Sequence, residues 1–144
     1  MVITYENATQ EDISAIYQFN KDLIDSYENI SEINYDNVLD WVKRKIEGHI
    51  GEYRCIYSDG IKAGYVYVHP NGGETEIDDL YIFPEYRNRS IGTRVIENCK
   101  EEFGPPIMLY VFQRNTRAFS LYLRLGFKVS ETIGTSRYVM RWEG

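Results

Sequence analysis

The chain has 144 residues, a formal net charge of −6, and 43% hydrophobic and 26% charged residues. One domain of that length buries an ordinary core without staples, so a single domain over residues 1–144 is expected. The acidic balance excludes an unaided nucleic-acid binder, and no apolar run approaches the length of a membrane span.

Cys55 and Cys99 lie far apart, and with His49 and His69 they match no metal-ligand spacing, so no metal is expected. The opening residues Met1 to Glu6 lack the basic and apolar regions of a signal peptide. Reduced thiols in a cytoplasmic protein are the expectation. The 13 tyrosines suit half-buried strands or the wall of a wet cleft.

Residues 2–6 alternate as a short strand. Thr9 then reads as the N-cap of a helix whose first turn holds Glu11 and Asp12, with Ile13, Ile16, Tyr17, Leu23, Ile24 and Tyr27 at helical spacing. A second helix carries Tyr35, Val38, Leu39, Val42 and Ile46 on one stripe and ends near Gly48 or Gly51.

The period then changes to two. Residues 53–57 and 62–69 form a hairpin about Ser58-Asp59-Gly60, and a turn at 70–73 leads into a strand over 74–83. Residues 90–102 are helical and stop at Gly104-Pro105-Pro106. Residues 107–112 are a compact apolar strand, which a right-handed crossover places parallel to the one before the helix. A short helix over 116–125 ends at Gly126, and strands over 127–132 and 136–142 close the chain. The order is β-α-α-β-β-β-α-β-α-β-β.

The most informative segment runs from Leu80 to Thr93. A strand enters a short loop, and a helix opens with the small residues Ser90, Gly92 and Thr93. A helix N-terminus offers unpaired N–H groups and the positive end of a dipole, and small residues let phosphate oxygens approach the backbone. Arg87, Arg89, Arg94 and Lys100 gather near this turn in an otherwise acidic chain. It has neither the Gly-Lys-Ser/Thr of a P-loop nor the Gly-x-Gly-x-x-Gly of a dinucleotide fold.

The segment resembles the acyl-CoA pyrophosphate loop of the GNAT superfamily of N-acetyltransferases, Arg/Gln-x-x-Gly-x-Gly/Ala after a Leu-x-Val-x-Pro strand end. Leu80, Ile82, Pro84, Arg87 and Gly92 fit, and Ser90 stands where the family usually has its first glycine. Asn115, Ala118, Tyr122, Gly126 and Phe127 resemble the second hallmark, Asn-x-x-Ala-x-x-x-Tyr-x-x-x-Gly-Phe.

The resemblance implies a GNAT-like α/β fold, a single mostly antiparallel mixed sheet flanked by about four helices, and acetyl-CoA as cosubstrate. It implies that Arg87, Asn88, Arg89, Ser90, Ile91, Gly92 and Thr93 hold the pyrophosphate. The backbone of Leu80, Tyr81 and Ile82 would pair with the pantetheine arm, Asn115 and Ala118 would line it, and Tyr122 would protonate the leaving thiolate.

An alkyl ammonium cannot attack a thioester until it loses a proton, so a base is needed on the acceptor side. Glu74, Glu76, Asp78 and Asp79 crowd one strand, and neither of its faces is cleanly apolar, so a bulge near Asp78–Asp79 is expected. The resemblance to the family implies a ranking for the general base, with Glu76 first by its position relative to Ile82, Asp79 second and Asp78 third. Tyr27, Tyr35, Trp41 and Tyr138 are candidate walls for an amine acceptor, either a small molecule or a peptide. The resemblance allows a homodimer, and no residue demands one. A non-catalytic acyl-CoA-binding regulatory module of the same fold is the alternative reading.

Overall fold

The computed structural model describes residues 1–144. Seven strands and four α-helices follow in the expected order: β1 (Ile3–Asn7), α1 (Ile13–Tyr27), α2 (Tyr35–His49), β2 (Arg54–Ser58), β3 (Ile61–Asn71), β4 (Glu74–Ile82), α3 (Ile91–Phe103), β5 (Ile107–Phe112), α4 (Thr116–Arg124), β6 (Lys128–Ile133) and β7 (Arg137–Trp142). They form an α/β fold around one mixed sheet of order β1-β2-β3-β4-β5-β7-β6.

Every neighbouring pair is antiparallel except β4 and β5, which run parallel through only two residue pairs, Thr75↔Ile107 and Glu76↔Met108. Beyond Glu76 the two strands part. Parallel strands need a long crossover, and α3 supplies it.

The helices cover both faces of the sheet. On one face, Ile16 and Phe19 of α1 and Val42 and Ile46 of α2 pack against Tyr53, Cys55, Tyr65 and Tyr67. On the other, Ile91 and Val95 of α3 meet Ile56, Ala63 and Val66, and Ile96 and Cys99 meet Ile77, Ile107 and Leu109. The tyrosines therefore belong mostly to the α1/α2 side, where a strand residue can bury its ring and keep its hydroxyl bonded.

The α1 start differs from expectation. Thr9 precedes a single 3-10 turn, Gln10–Asp12, and α1 begins at Ile13. The reason is Asp12: its Oδ2 accepts from the Thr9 N–H at 2.9 Å, while its buried Oδ1 accepts from Tyr65 and Lys62. The carboxylate thus ties the turn to β3.

The bulge falls where the acids demanded it. Tyr67 pairs with Asp79 and Val68 with Ile77, which leaves Asp78 as the extra residue. The parity shift brings Ile77 and Leu80 to the α3/α4 core and leaves Asp79 and Tyr81 toward α1 and α2. Gly64 holds β3 close to β4 next to this point, since a Cβ there would stand 2.0 Å from the Tyr81 carbonyl oxygen.

Candidate active site

The parting of β4 from β5 opens a cleft edged by backbone. Phe83 N–H donates to the Ala63 carbonyl at 2.8 Å, so by alternation Tyr81 faces β3 while Leu80 and Ile82 turn their backbone groups to the open edge. α3 begins at that end of the strand. Its first backbone bond is Arg94 N–H to the Ser90 carbonyl at 3.0 Å, which leaves the N–H groups of Ile91, Gly92 and Thr93 ahead of the helical ladder.

Ser90 has φ 64° and ψ 15°, the left-handed conformation that the family's usual glycine would adopt without strain. Asn88, at φ 62°, shares it, and asparagine tolerates that region better than most residues. Gly92 differs. Its φ is not positive, and a Cβ added there would meet only ordinary contacts, 3.8 Å from Ile82 and Leu121 side chains. Nothing inside the protein requires a glycine at 92, so its bare backbone suits something that docks from outside. Free N–H groups at a helix start with a bare glycine among them fit a pyrophosphate.

The cations near the turn do not all serve it. Arg87 folds back, its Nε donating to the Ile82 carbonyl at 3.0 Å and its guanidinium lying over the Tyr81 ring. Arg89 lies over Tyr86. Lys100, at the far end of α3, donates to the Leu125 carbonyl and packs over Trp142 and Phe127, away from the turn. Arg117 takes its place: from the first turn of α4 it donates to Asn88 Oδ1 at 3.0 Å. Nothing in the local pattern marked Arg117, because only the packing of α4 against the loop brings it there.

The second hallmark is a seating device for Tyr122. Asn115 caps α4, its Oδ1 accepting from the Ala118 N–H at 3.2 Å, which leaves its Nδ2 donors outside the cap. At the other end Gly126 has φ 91°, its N–H donates to Leu123, and the Phe127 N–H donates to the Tyr122 carbonyl at 3.0 Å. These bonds make a Schellman stop, and the Phe127 ring packs on Tyr122 with centroids 5.9 Å apart. The spacing Tyr-x-x-x-Gly-Phe therefore locks one tyrosine through the helix end that follows it. Burial pushes the Tyr122 phenol up to about 12, with the charge of Asp79 adding to the effect, so it holds its proton at neutral pH.

The acids of β4 separate into different environments. Asp79, 8% exposed, accepts from the Tyr53 hydroxyl and from Lys45 at 3.4 Å, with Asn20 at 3.5 Å. Asp78 accepts from Lys45 at 3.0 Å and pairs with His69 Nε2 at 3.0 Å. Glu76, 7% exposed, sits where β4 and β5 part and accepts only from Asn71 Nδ2, at 3.0 Å. Burial pushes the Glu76 carboxyl above its usual range, and Asp78 adds to that. Burial pulls the Lys45 ammonium down, but Asp79 and Asp78 outweigh it and hold its pKa above the usual value.

His69, Glu76 and Asp78 bring one ligand atom each within 4.8 Å of one another. Lys45 and His69 already counter the carboxylates, so the chemistry of the set is that of an ion-pair network.

The four candidate wall residues have different neighbours. Tyr27 packs toward Phe112, Tyr138 tilts on Phe119, Tyr35 is tied to Asp25, and Trp41 is 58% exposed on α2 beside Lys45. Sequence reasoning also missed Lys45, Asn20 and Tyr53. Each lies far along the chain from the acids it serves, and none belongs to a local motif.

Comparisons with known proteins agree with this fold. Residues 14–127 match the acetyltransferase (GNAT) family. A spermidine N(1)-acetyltransferase of Thermoplasma acidophilum is 32% identical over 83 residues, which are 55% of this chain and 52% of that protein. The chain thus matches about half the length of that relative. Among solved structures, the PaiA N-acetyltransferase of Thermoplasma acidophilum in complex with coenzyme A superposes with a TM-score of 0.72 at 21% identity, covering 100% of both chains. The ribosomal-protein-S18-alanine N-acetyltransferase of Escherichia coli gives 0.65 at 16% identity, covering 99% of this chain and 94% of that one. No helix is long and apolar enough to cross a membrane. With a family match across most of its length and the same fold in its structural relatives, the chain belongs to the acetyltransferase (GNAT) family.

Proposed function

We propose that the protein transfers an acetyl group from acetyl-CoA to a primary amine of a small molecule or peptide, by direct attack in a ternary complex. The observation that carries this reading is the cleft itself. β4 leaves β5 just beyond Glu76, the start of α3 lies at one end, and the Schellman stop of α4 seats Tyr122.

Acetyl-CoA supplies the activated thioester. The N–H groups of Ile91, Gly92 and Thr93 would hold its pyrophosphate, with Arg117 and the exposed Arg89 nearby. Backbone at Leu80 and Ile82, with Asn115 Nδ2, would hydrogen-bond the pantetheine arm. Glu76 takes the proton from the acceptor ammonium: it is the buried acid whose oxygens are least engaged. Asp79 is satisfied by three partners and serves to hold Lys45 and Tyr53 in place. Tyr122, protonated well beyond neutral pH, donates to the departing sulfur.

An ammonium acceptor suits a cleft lined with Glu76, Asp78 and Asp79. Spermidine and a ribosomal-protein alanine are the acceptors in the names of two relatives, and an amine of either kind is an ammonium at neutral pH. The reading as a non-catalytic acyl-CoA-binding module drew its support from Ser90. That residue holds the left-handed turn which a glycine would hold, and this weighs against a lost site.

Calorimetric titration with acetyl-CoA, followed by a thiol-release assay with spermidine and an alanine-initiated peptide, tests the proposal. Wild type should bind and acetylate one of them, Gly92→Glu should lose binding, and Tyr122→Phe should bind while turning over slowly. Absence of binding to the wild type would end the reading.

A further inference from the structure

Acetylation of an ammonium releases a proton, and the candidate base is buried. As the C–N bond forms and the C–S bond breaks, R–NH3+ and the thioester become an amide, a thiol and one free H+. Of the two protons that nitrogen loses, one balances the proton that Tyr122 gives to sulfur. The other must leave Glu76 for solvent before the next turnover.

Resting on the function proposed above, we infer that His69 is the relay that carries this proton from Glu76 to solvent. His69 lies directly opposite Glu76 in the β3–β4 ladder. Its Nδ1 is 2.8 Å from the Pro70 carbonyl and can only donate there, so Nε2 is the nitrogen that exchanges a proton. Nε2 is 3.8 Å from Glu76 Oε1, a gap that a small side-chain adjustment or one water spans, and 3.0 Å from Asp78 Oδ2, which steadies the imidazolium. The His69 side chain is 26% exposed where that of Glu76 is 10% exposed, so the histidine bridges the buried acid and water.

The other charged or titratable groups near the ring are unsuited to the task. Lys45, reaching in from α2, keeps its proton. The Tyr67 phenol, against the His69 ring, and Tyr53 behind it are pushed well above the usual range by burial and by Glu52 and Asp79 respectively. His49 of α2 stacks on Tyr67 and bonds Glu52, and Asp79 is closed off by Tyr53, Lys45 and Asn20. Burial pulls the His69 pKa down, but the Pro70 carbonyl, Asp78 and Glu76 outweigh it and raise it above its ordinary value.

The test uses whichever of spermidine and an alanine-initiated peptide the wild type acetylates, in dilute buffer, with His69→Ala and His69→Gln. Both variants should keep acetyl-CoA affinity, lose about 10²-fold in kcat, and lose the wild-type ascending pH limb. Added imidazole should restore much of the rate of His69→Ala. Unchanged kcat and pH profile in His69→Gln would overturn the relay, and so would a loss in both variants that imidazole does not relieve. A wild type that acetylates neither probe would instead take down the function itself, and the relay with it.

Discussion

The two sides of the cleft are built on different principles. The side formed by α3 and the open edge of β4 is mostly backbone: unpaired N–H groups, a bare glycine, a left-handed serine and an asparagine cap. The side under α1 and α2 is a side-chain network, in which Asn20, Lys45, Tyr53 and His69 converge on the acids from separate elements. A backbone site depends on local conformation and tolerates change in most side chains around it. A buried charge network depends on every partner at once, because each unpaired member costs its own desolvation. The first arrangement suits a cosubstrate shared by many enzymes. The second suits an acceptor that differs from one to the next.

The largest expected effect separates chemistry from architecture within the network. Glu76→Gln should lower kcat by about 10²–10⁴, the usual contribution of a positioned base, with acetyl-CoA affinity unchanged. Its stability should not fall. Burial raises the pKa of Glu76 in the fold, so the protonated form is the one folding favours. Whatever stability this group contributes is present below its unfolded pKa and is lost as pH rises through the raised, folded value. Glutamine removes that loss. Melting curves at pH 5 and pH 8 should therefore lie closer together in Glu76→Gln than in wild type. A variant that keeps its kcat would move the base elsewhere.

Asp79→Ala should show the opposite profile. It strips the Tyr53 hydroxyl of its acceptor and leaves Lys45 with Asp78 alone in a nearly dry site, at a cost of about 3 kcal/mol. Urea unfolding should register that loss even with acetyl-CoA absent. A fold that tolerates the change would mean Asp79 is held in reserve for catalysis, and the contrast between the two acids would fail.

The contrast also explains what could be read without coordinates. The order of strands and helices was legible because each element has a local signal, down to Gly126 as the stop of α4. The bulge at Asp78 could be inferred because four acids on one alternating strand satisfy neither face. The turn proposed for the cosubstrate carries its signal in the same local way. Lys100 misled, because its sequence proximity to the turn hid its contact with the end of α4, while Arg117, 25 residues beyond Gly92 in the chain, reaches Asn88. The acid network resisted because its partners meet only through tertiary packing. No short-range pattern links Lys45 with Asp78 or Asn20 with Asp79.

The smallest effect probes a place where the backbone side depends on a side chain. Ser90 holds a left-handed conformation that costs a non-glycine residue about 1–2 kcal/mol, and its hydroxyl caps nothing in α3. Glycine there would relieve the strain but give up about 0.5–1 kcal/mol to the greater freedom of its unfolded chain. Ser90→Gly should therefore gain a fraction of a kcal/mol, a small rise in melting temperature. If that were the whole role of the position, glycine would be the better residue. The hydroxyl stands at the start of α3 beside three free N–H groups, where it can donate to a phosphate oxygen, and a hydrogen bond to a charged group is worth about 1.5–3 kcal/mol. Calorimetry should then show acetyl-CoA bound about tenfold more weakly to the more stable variant. Unchanged affinity would assign the turn to backbone alone, and the division between the two sides of the cleft would be complete.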